Sequence, residues 1–431
     1  MNNKPLHLIL IAFLVKTTLT AEPLLLSEAY TLALQNNHAH KAKRFESDSA
    51  SYAQEQREGK LYPQIQLSLN GGLHDYVQNY DLHTNVSEIY KSYTLSLTQP
   101  LYRPEVFISI DQGELKVQGA QTETFKSTQE LGSTVAKAYF ELIVAQRSLE
   151  LAQANHRFYA LKHTLISEML TQGLSNKMDL LETQLYRDRA MMEINTAHTK
   201  AYLAQRKLED LIRTPIQTLP SLSEHFLDNP EIFKNQSTNV EENNPDLRIA
   251  NLSRRIAEQE IDLRASEHYP KIDLSLSRSE NDTNDRAMYK TDNRAYVQIS
   301  IPLYQGGQTN ARINEAKRIY ASSLEKEWQT RQEITYHIDE LTQQLDLNLQ
   351  NLNVLQTART SAQLNLSAVE MAQKAGLKSQ IDLLEARTKL YRIEQDSLEQ
   401  FRDLVITHIT LLELNARVSV EAFQLLENQL F

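Results

Sequence analysis

The chain has 431 residues, 41% hydrophobic and 23% charged, with 10 Gly, 11 Pro and no Cys. The missing cysteine excludes disulfide frameworks, thiolate metal sites, thiol nucleophiles and a lipid anchor on an N-terminal Cys. Against 45 Lys and Arg stand 55 Asp and Glu, a net charge of -10 and the wrong sign for wrapping phosphates, so no nucleic-acid partner is expected.

The N-terminus reads as a signal peptide over 1–21. Lys4 supplies the positive region, 6–15 form the apolar run, and Leu19-Thr20-Ala21 offers the cleavage site. Beyond Ala21 no run approaches the 18 or so apolar residues of a membrane helix. An exported chain of this kind is either soluble or a β-barrel.

The mature chain then repeats itself. Tyr62-Pro63-Gln64-Ile65 realigns with Tyr269-Pro270-Lys271-Ile272 and Asn36-Asn37 with Asn243-Asn244, all at an offset of 207. Across 36–69, 10 of 34 positions are identical without a gap, which is duplication rather than chance. Pro100-Leu101-Tyr102 recurs as Pro302-Leu303-Tyr304. Gly173-Leu174 and Asp179 recur as Gly376-Leu377 and Asp382.

Within each repeat the hydrophobic period switches twice. A helical pattern with Ser27 as N-cap runs from 26 to about 60, where Pro63 stops it. Period two follows: Ile65, Leu67 and Leu69 alternate with polar neighbours, as do Leu95 and Leu97, predicting a hairpin over 64–99. The second repeat predicts another over 271–301, from Ile272, Leu274 and Leu276 and from Val297, Ile299 and Ile301. Proline is then absent from 105–214 and from 303–431, and the spacing is helical. Leu131, Val135, Ala138, Leu142, Ala145 and Leu149 form a heptad seam. Gly173 and Gly376 interrupt these stretches, so each reads as a helix of about 70 residues, roughly 100 Å long at 1.5 Å per residue, a turn, and a returning helix. The domain reading is therefore a first repeat over 22–213, a proline-containing linker over 214–242, a second repeat over 243–415 and a C-terminal tail over 416–431.

Four strands with one apolar and one polar face cannot cross a bilayer alone, because their edge groups would meet hydrocarbon unpaired. Three chains would supply twelve strands, an even number that closes a barrel. Tyr76, Tyr80, Tyr90, Tyr93, Tyr289 and Tyr296 lie in or near the hairpins, where an interfacial aromatic belt would place them. On periodicity alone a soluble sandwich satisfies the same pattern.

No catalytic set is visible. His38 and His40 form the only close histidine pair, with no Asp or Glu at ligand spacing, and no Gly-rich phosphate loop or nucleophile elbow is present. No cofactor, metal or enzymatic activity is expected.

The opening Leu26-Ser27-Glu28-Ala29, the Tyr-Pro before each first strand, the exit Pro302-Leu303-Tyr304-Gln305-Gly306-Gly307 and the two Gly-x5-Asp turns together resemble the outer-membrane efflux protein (TolC) family. The resemblance covers essentially the whole mature chain, in order and twice over. It implies a mainly α fold with a β-barrel part: a homotrimer whose twelve-stranded barrel in outer-membrane lipid continues as a periplasmic α-helical barrel. It also implies an exit duct for efflux or type I secretion, working with a periplasmic adaptor protein and an inner-membrane transporter in a Gram-negative cell. A helical adaptor or scaffold without its own pore is the alternative, though it would carry one hairpin and separate small β-domains.

The resemblance further points to the helix turns. It implies an entrance selectivity ring of Asp382 and Glu385, three apart on one helix face, six carboxylates in a trimer whose repulsion raises some of their pKa values. It also implies an entrance latch from Asp179 to two second-repeat positions, here Gln373 in place of a tyrosine and Lys378 in place of an arginine. A Lys makes a single-point contact where Arg grips both oxygens, so a weakened latch is expected.

Overall fold

The computed structural model describes residues 23–77, 85–222, 233, 243–282 and 290–431, with the backbone alone at 74–77, 85–88 and 90. The expected signal peptide, most of the expected linker, Tyr80 and Tyr289 lie outside the described residues, as do the side chains of Tyr76 and Tyr90.

The chain opens with α1 (Leu26–Asn36) and α2 (His38–Glu58) where one continuous helix is expected. Asn37 leaves the helical region, at φ -68 and ψ 122, and its side-chain oxygen accepts from His40 N at 3.1 Å, capping the second helix. Asn244, its repeat equivalent, likewise caps α5 (Pro245–Ala265), accepting from Asp246 N at 2.9 Å and Leu247 N at 3.2 Å. Ser27 is not the N-cap of α1; that position is Leu25. Its backbone N–H and hydroxyl instead donate to the buried Glu427 carboxylate, at 2.6 and 3.1 Å, from the far end of the chain.

Pro63 and Pro270 each stand just before a strand. The strands are β1 (Gln64–Val77), β2 (Asn85–Tyr102), β3 (Lys271–Asp282) and β4 (Thr291–Ser300). They form one antiparallel sheet in chain order, with the two hairpins joined where β2 pairs with β3. Leaving β2, the chain enters α3 (Pro104–Thr171, 68 residues); after β4 it enters α6 (Gln308–Lys374, 67 residues). At about 1.5 Å per residue each rod is about 100 Å long and carries the chain from the sheet to a distant turn. The returning helices, α4 (Lys177–Ile212) and α7 (Gln380–Leu414), have 36 and 35 residues, about half as many. Two columns result: α2 and α4 pack along α3, while α5 and α7 pack along α6.

The core sits at the waist, where α1, mid-α3, the ends of α4 and α7, and α8 (Val420–Leu430) converge. There Tyr30, Tyr139, Phe140, Leu208, Phe401 and Phe423 are buried, and Tyr139 donates its hydroxyl to Leu24 O at 2.8 Å. Of the seam residues, Leu131, Val135, Ala138 and Leu142 are buried, whereas Ala145 and Leu149 are only partly covered. Gly132 allows the crossing, because a Cβ there would stand 2.4 Å from Val418 Cγ1. Phe233 reaches this core from the segment between the repeats and packs edge-on to His408 at 5.3 Å. Burial lowers the His408 pKa to about 4, so the imidazole sits there neutral.

Candidate functional site: sheet face and helix turns

Directly opposed residues of neighbouring strands share a face, so the register assigns the two surfaces of the sheet. Ile65, Leu97, Leu276 and Ala295 lie in one row, and Leu274 and Val297 are paired in the next. This face is uncovered, and beside the helices it is apolar across all four strands: Ile65, Leu67, Leu69 and Ile299 are all at least 60% exposed. Farther from the helices the same face carries Lys91, Arg278, Glu280 and Asp282, with Arg278 paired to Glu280 at 2.6 Å. The other face carries Gln66, Ser68, Thr94, Ser96, Ser275, Ser277 and Gln298, with Thr94 and Ser279 hydroxyls 2.9 Å apart.

Tyr93, opposite Leu69, lies on the apolar face as a belt residue should. Tyr296 does not. It pairs with Ser275 and lies on the polar face, one residue out of phase with Val297. The tyrosines that ring the helix side of the sheet are instead Tyr62, Tyr102, Tyr269 and Tyr304, all exposed. They were visible as repeat landmarks, but not as a belt. Among the described residues no helix is long and apolar enough to cross a membrane.

At the opposite end each long helix closes in the same way. Gly173, at φ +73, and Gly376, at φ +77, take the left-handed conformation that glycine adopts without Cβ strain. Leu174 N donates to Met169 O at 2.8 Å and Leu377 N to Ala372 O at 2.9 Å, satisfying carbonyls that the helix end leaves open. The following helix is then capped: Asn176 Oδ1 accepts from Asp179 N at 2.9 Å, and Ser379 Oγ from Asp382 N at 3.1 Å.

Of the two acidic residues of the second turn, Asp382 lies in the first helical turn of α7 and Glu385 one turn further on. Asp382 Oδ2 accepts from Ser379 N at 2.8 Å and from Ser379 Oγ at 2.7 Å, while Lys378 Nζ reaches Oδ1 at 3.2 Å. The Ser379 hydroxyl and backbone bonds, then Lys378, hold the Asp382 carboxyl below its ordinary value. Glu385 is exposed beside it.

Lys378 therefore spends its charge on Asp382. Asp179 is held in its own turn by Ser175 Oγ at 3.1 Å and Asn176 Nδ2 at 3.0 Å, and Gln373 Nε2 donates to Gln380 Oε1 at 3.3 Å. Among the described residues of one chain, no hydrogen bond or ion pair joins Asp179 to Gln373 or Lys378. His38 and His40 sit far away in the first turn of α2, where burial and Arg44 lower the His40 pKa.

A set of residues that sequence reasoning missed ties the two helical hairpins together, about four helical turns from Gly173. Tyr159 of α3 stacks on Tyr186 of α4 at 5.4 Å, and its hydroxyl is 2.7 Å from Thr388 Oγ1 of α7. Arg387 lies over the Phe158 ring at 5.5 Å. The nearly equal separation of Tyr159 and Tyr186 from Gly173, 14 and 13 residues, was the available signal, since it places them side by side in a helical hairpin.

This architecture has close parallels. The sequence pattern of the outer membrane efflux protein family matches residues 29–212 and 237–416. The chain is 27% identical over 403 residues to the alkaline protease secretion protein AprF of Pseudomonas aeruginosa, covering 88% of this chain and 82% of that one. It is 25% identical to the outer membrane protein TolC of Salmonella enteritidis, covering 86% and 77%. In structure it resembles CusC, with a TM-score of 0.80, 16% identity and 90% and 91% of the two chains covered. The Campylobacter jejuni CmeC outer membrane channel gives a TM-score of 0.80 at 13% identity, covering 94% and 89%. The family consists of transport channels rather than enzymes. A sheet with an uncovered apolar face, long helices carrying the chain some 100 Å away and a family pattern spanning both repeats lead to one conclusion: the chain belongs to the outer membrane efflux protein family and is an outer-membrane exit duct of a Gram-negative cell, extending into the periplasm.

Proposed function

We propose that three copies of the chain assemble into the conducting duct, whose sheet sits in outer-membrane lipid and whose turns form a gated periplasmic entrance. The observation that carries this reading is the sheet itself. It has an uncovered face that is apolar across all four strands beside the helices, and two edges, β1 and β4, with no partner strand among the described residues. Unpaired edges in hydrocarbon cost several kcal/mol per group, so closure through further copies is required.

The helices support the same assembly. Met178, Leu181, Leu185 and Met192 of α4 are exposed at coiled-coil spacing, and so are Leu347, Val354, Leu364 and Met371 of α6. Such seams fit neighbouring helices of other copies, continuing the sheet as a helical barrel. The domain division over 22–213, 214–242, 243–415 and 416–431 belongs to this reading, with the tail pinned at the waist through Glu427.

At the entrance, Asp382 and Glu385 of three copies form an acidic ring that admits cations in preference to anions. Lys378, already held by Asp382, is a poor latch for Asp179 of a neighbouring hairpin, which leaves the entrance loosely closed. A periplasmic adaptor protein and an inner-membrane transporter complete the export route. The relatives' protein-secretion names make polypeptides one cargo class to test.

Single-channel conductance of the purified mature chain, beside an Asp382→Ser, Glu385→Ser variant, tests the reading. Small cation-selective steps that lose selectivity in the variant are expected. Silence of both proteins, once membrane insertion is verified, would refute the duct.

A further inference from the structure

The duplication carries information about a contact that one chain cannot contain. Under the repeat correspondence, β3 matches β1 at an offset of 207 and β4 matches β2 at an offset of 202. The registers obey the same correspondence. Ile65 pairs with Leu97 in the first hairpin and Ile272 with Ile299 in the second, and these are equivalent positions in both strands. The two hairpins are thus one object built twice, and the β2–β3 seam is the internal example of how one joins the next.

We infer that β4 of one copy pairs with β1 of the next in the register transferred from that internal seam. Ser96 opposite Ser277 becomes Gln298 opposite Asn70 of the next copy, and Leu97 opposite Leu276 becomes Ile299 opposite Leu69 of the next copy. The inference rests on the assembly proposed above and names which residues meet in it.

Two further features of the chain agree. At the internal seam Arg103 grips Asp273 through two hydrogen bonds, at 2.8 and 2.7 Å, and Lys271 pairs with Glu105 at 2.7 Å. Their counterparts are Gln305 with Gln66, and Gln64 with Gly307. Both members of each ion pair have become uncharged together, and no charge is stranded. That is what true partners at the second seam require, since a lone charge at a partly buried junction is costly.

The second feature is the Gly71-Gly72 step of β1, which stands where β3 has Arg278-Ser279. In the transferred register Val297 and Tyr296 lie opposite these glycines. Large side chains facing edge glycines restore the cover that glycine lacks. Tyr296 on the polar face, out of place for a lipid belt, gains a role there. The seam between copies is therefore held by backbone pairing, an amide pair and Tyr296 packed over Gly72, where the seam within a chain is ionic.

Because the chain has no cysteine, introduced thiols report without background. Thiols are introduced in the full-length protein as three pairs: Gln298→Cys with Asn70→Cys, with Ser68→Cys, and with Gly72→Cys. Directly opposed Cα atoms lie about 4.5–5.5 Å apart, within disulfide reach, whereas diagonal neighbours stand at about 7–8 Å. Oxidation is expected to give covalent dimers and trimers for the Asn70 pair, at several times the yield of either slipped pair. Thr94→Cys with Ser279→Cys closes within one chain and controls for oxidation and folding.

Strongest cross-linking in a slipped pair would overturn the register while keeping the assembly. Failure of all three pairs, with the control closed, would overturn the assembly itself. As a second readout, Gln305→Arg or Gln66→Asp alone is expected to lower the temperature at which oligomers dissociate in detergent, and the double variant to restore it. Additive losses in the double variant would contradict the pairing.

Discussion

The waist and the sheet spend the same residue types in opposite ways. At the waist Leu26, Leu142 and Leu404 are 0% exposed; on the outer face of the sheet Ile65, Leu67 and Leu69 are 69%, 61% and 64% exposed. One leucine left in water forgoes about 1.5–3 kcal/mol of burial, so a whole face of them is untenable in water and natural in lipid. The waist satisfies its apolar surface within one chain. The sheet leaves that task to its surroundings, and the functional end of the molecule begins where self-sufficiency stops.

Substitution should separate the two regions sharply. Phe401→Ala empties a fully buried waist position and is expected to cost about 3–5 kcal/mol, read as a lower denaturant midpoint. Leu67→Arg leaves the waist untouched but is expected to cost about 2–4 kcal/mol of membrane assembly if the apolar face meets the bilayer centre. The waist variant should unfold at lower denaturant even in detergent, whereas the sheet variant should keep its helices and their midpoint and lose outer-membrane yield. Equal behaviour of the two would erase the distinction.

A finer contrast lies within α3. In Gly132→Ala the new methyl meets Val418 and the Tyr30 ring, so a loss of about 1–3 kcal/mol is expected. Gly119→Ala has open space around its Cβ and should gain up to about 1 kcal/mol from helix propensity. Opposite signs in thermal unfolding would sharpen the account of the waist as a close crossing. Lower down, Tyr159→Phe removes the bond to Thr388 and should cost about 0.5–1.5 kcal/mol. Its larger effect is expected on single-channel conductance, because the bond joins α3 of the first hairpin to α7 of the second between the waist and the turns.

The smallest effect concerns pH. Asp382 is held below its ordinary value of 3.8 by Ser379 and Lys378, so the carboxylate form is the one the fold favours. The capping contribution is therefore fully present above the ordinary value and is lost as pH falls through the lower folded one. An NMR titration of Asp382 in detergent-dispersed single chains should show the depressed value. In the assembled ring, repulsion among neighbouring carboxylates opposes it, and the titration should move upward.

Much of this was readable from residue spacing. The glycine turns, the long proline-free rods and the alternating strands each follow from local rules, and the structure contains them. Tyr296 was readable too: it falls out of phase with Val297 and Ile299, so parity alone excluded it from the lipid face. Lys378 and Asp382 stand four apart on adjoining turn and helix, a spacing that favours their pairing over a distant latch. Ser27 and Glu427 are different. They are separated by 400 residues, and nothing local in either predicts that the Glu427 side-chain carboxylate settles on the first helix. The break at Asn37 lies between: Asn36-Asn37 marked the repeat, but its capping role emerges only once the backbone is seen to leave the helix there.

Contact of the sheet's uncovered face with lipid, and its absence from the helices, can be read through the single tryptophan, Trp328 of α6. In vesicles containing brominated phospholipid, Trp328 of the unaltered protein should fluoresce unquenched. A Trp328→Phe, Leu67→Trp variant should be strongly quenched, and a Trp328→Phe, Ser68→Trp variant, on the opposite face, should not. Quenching at Ser68→Trp but not at Leu67→Trp, or equal quenching at both, would contradict the account.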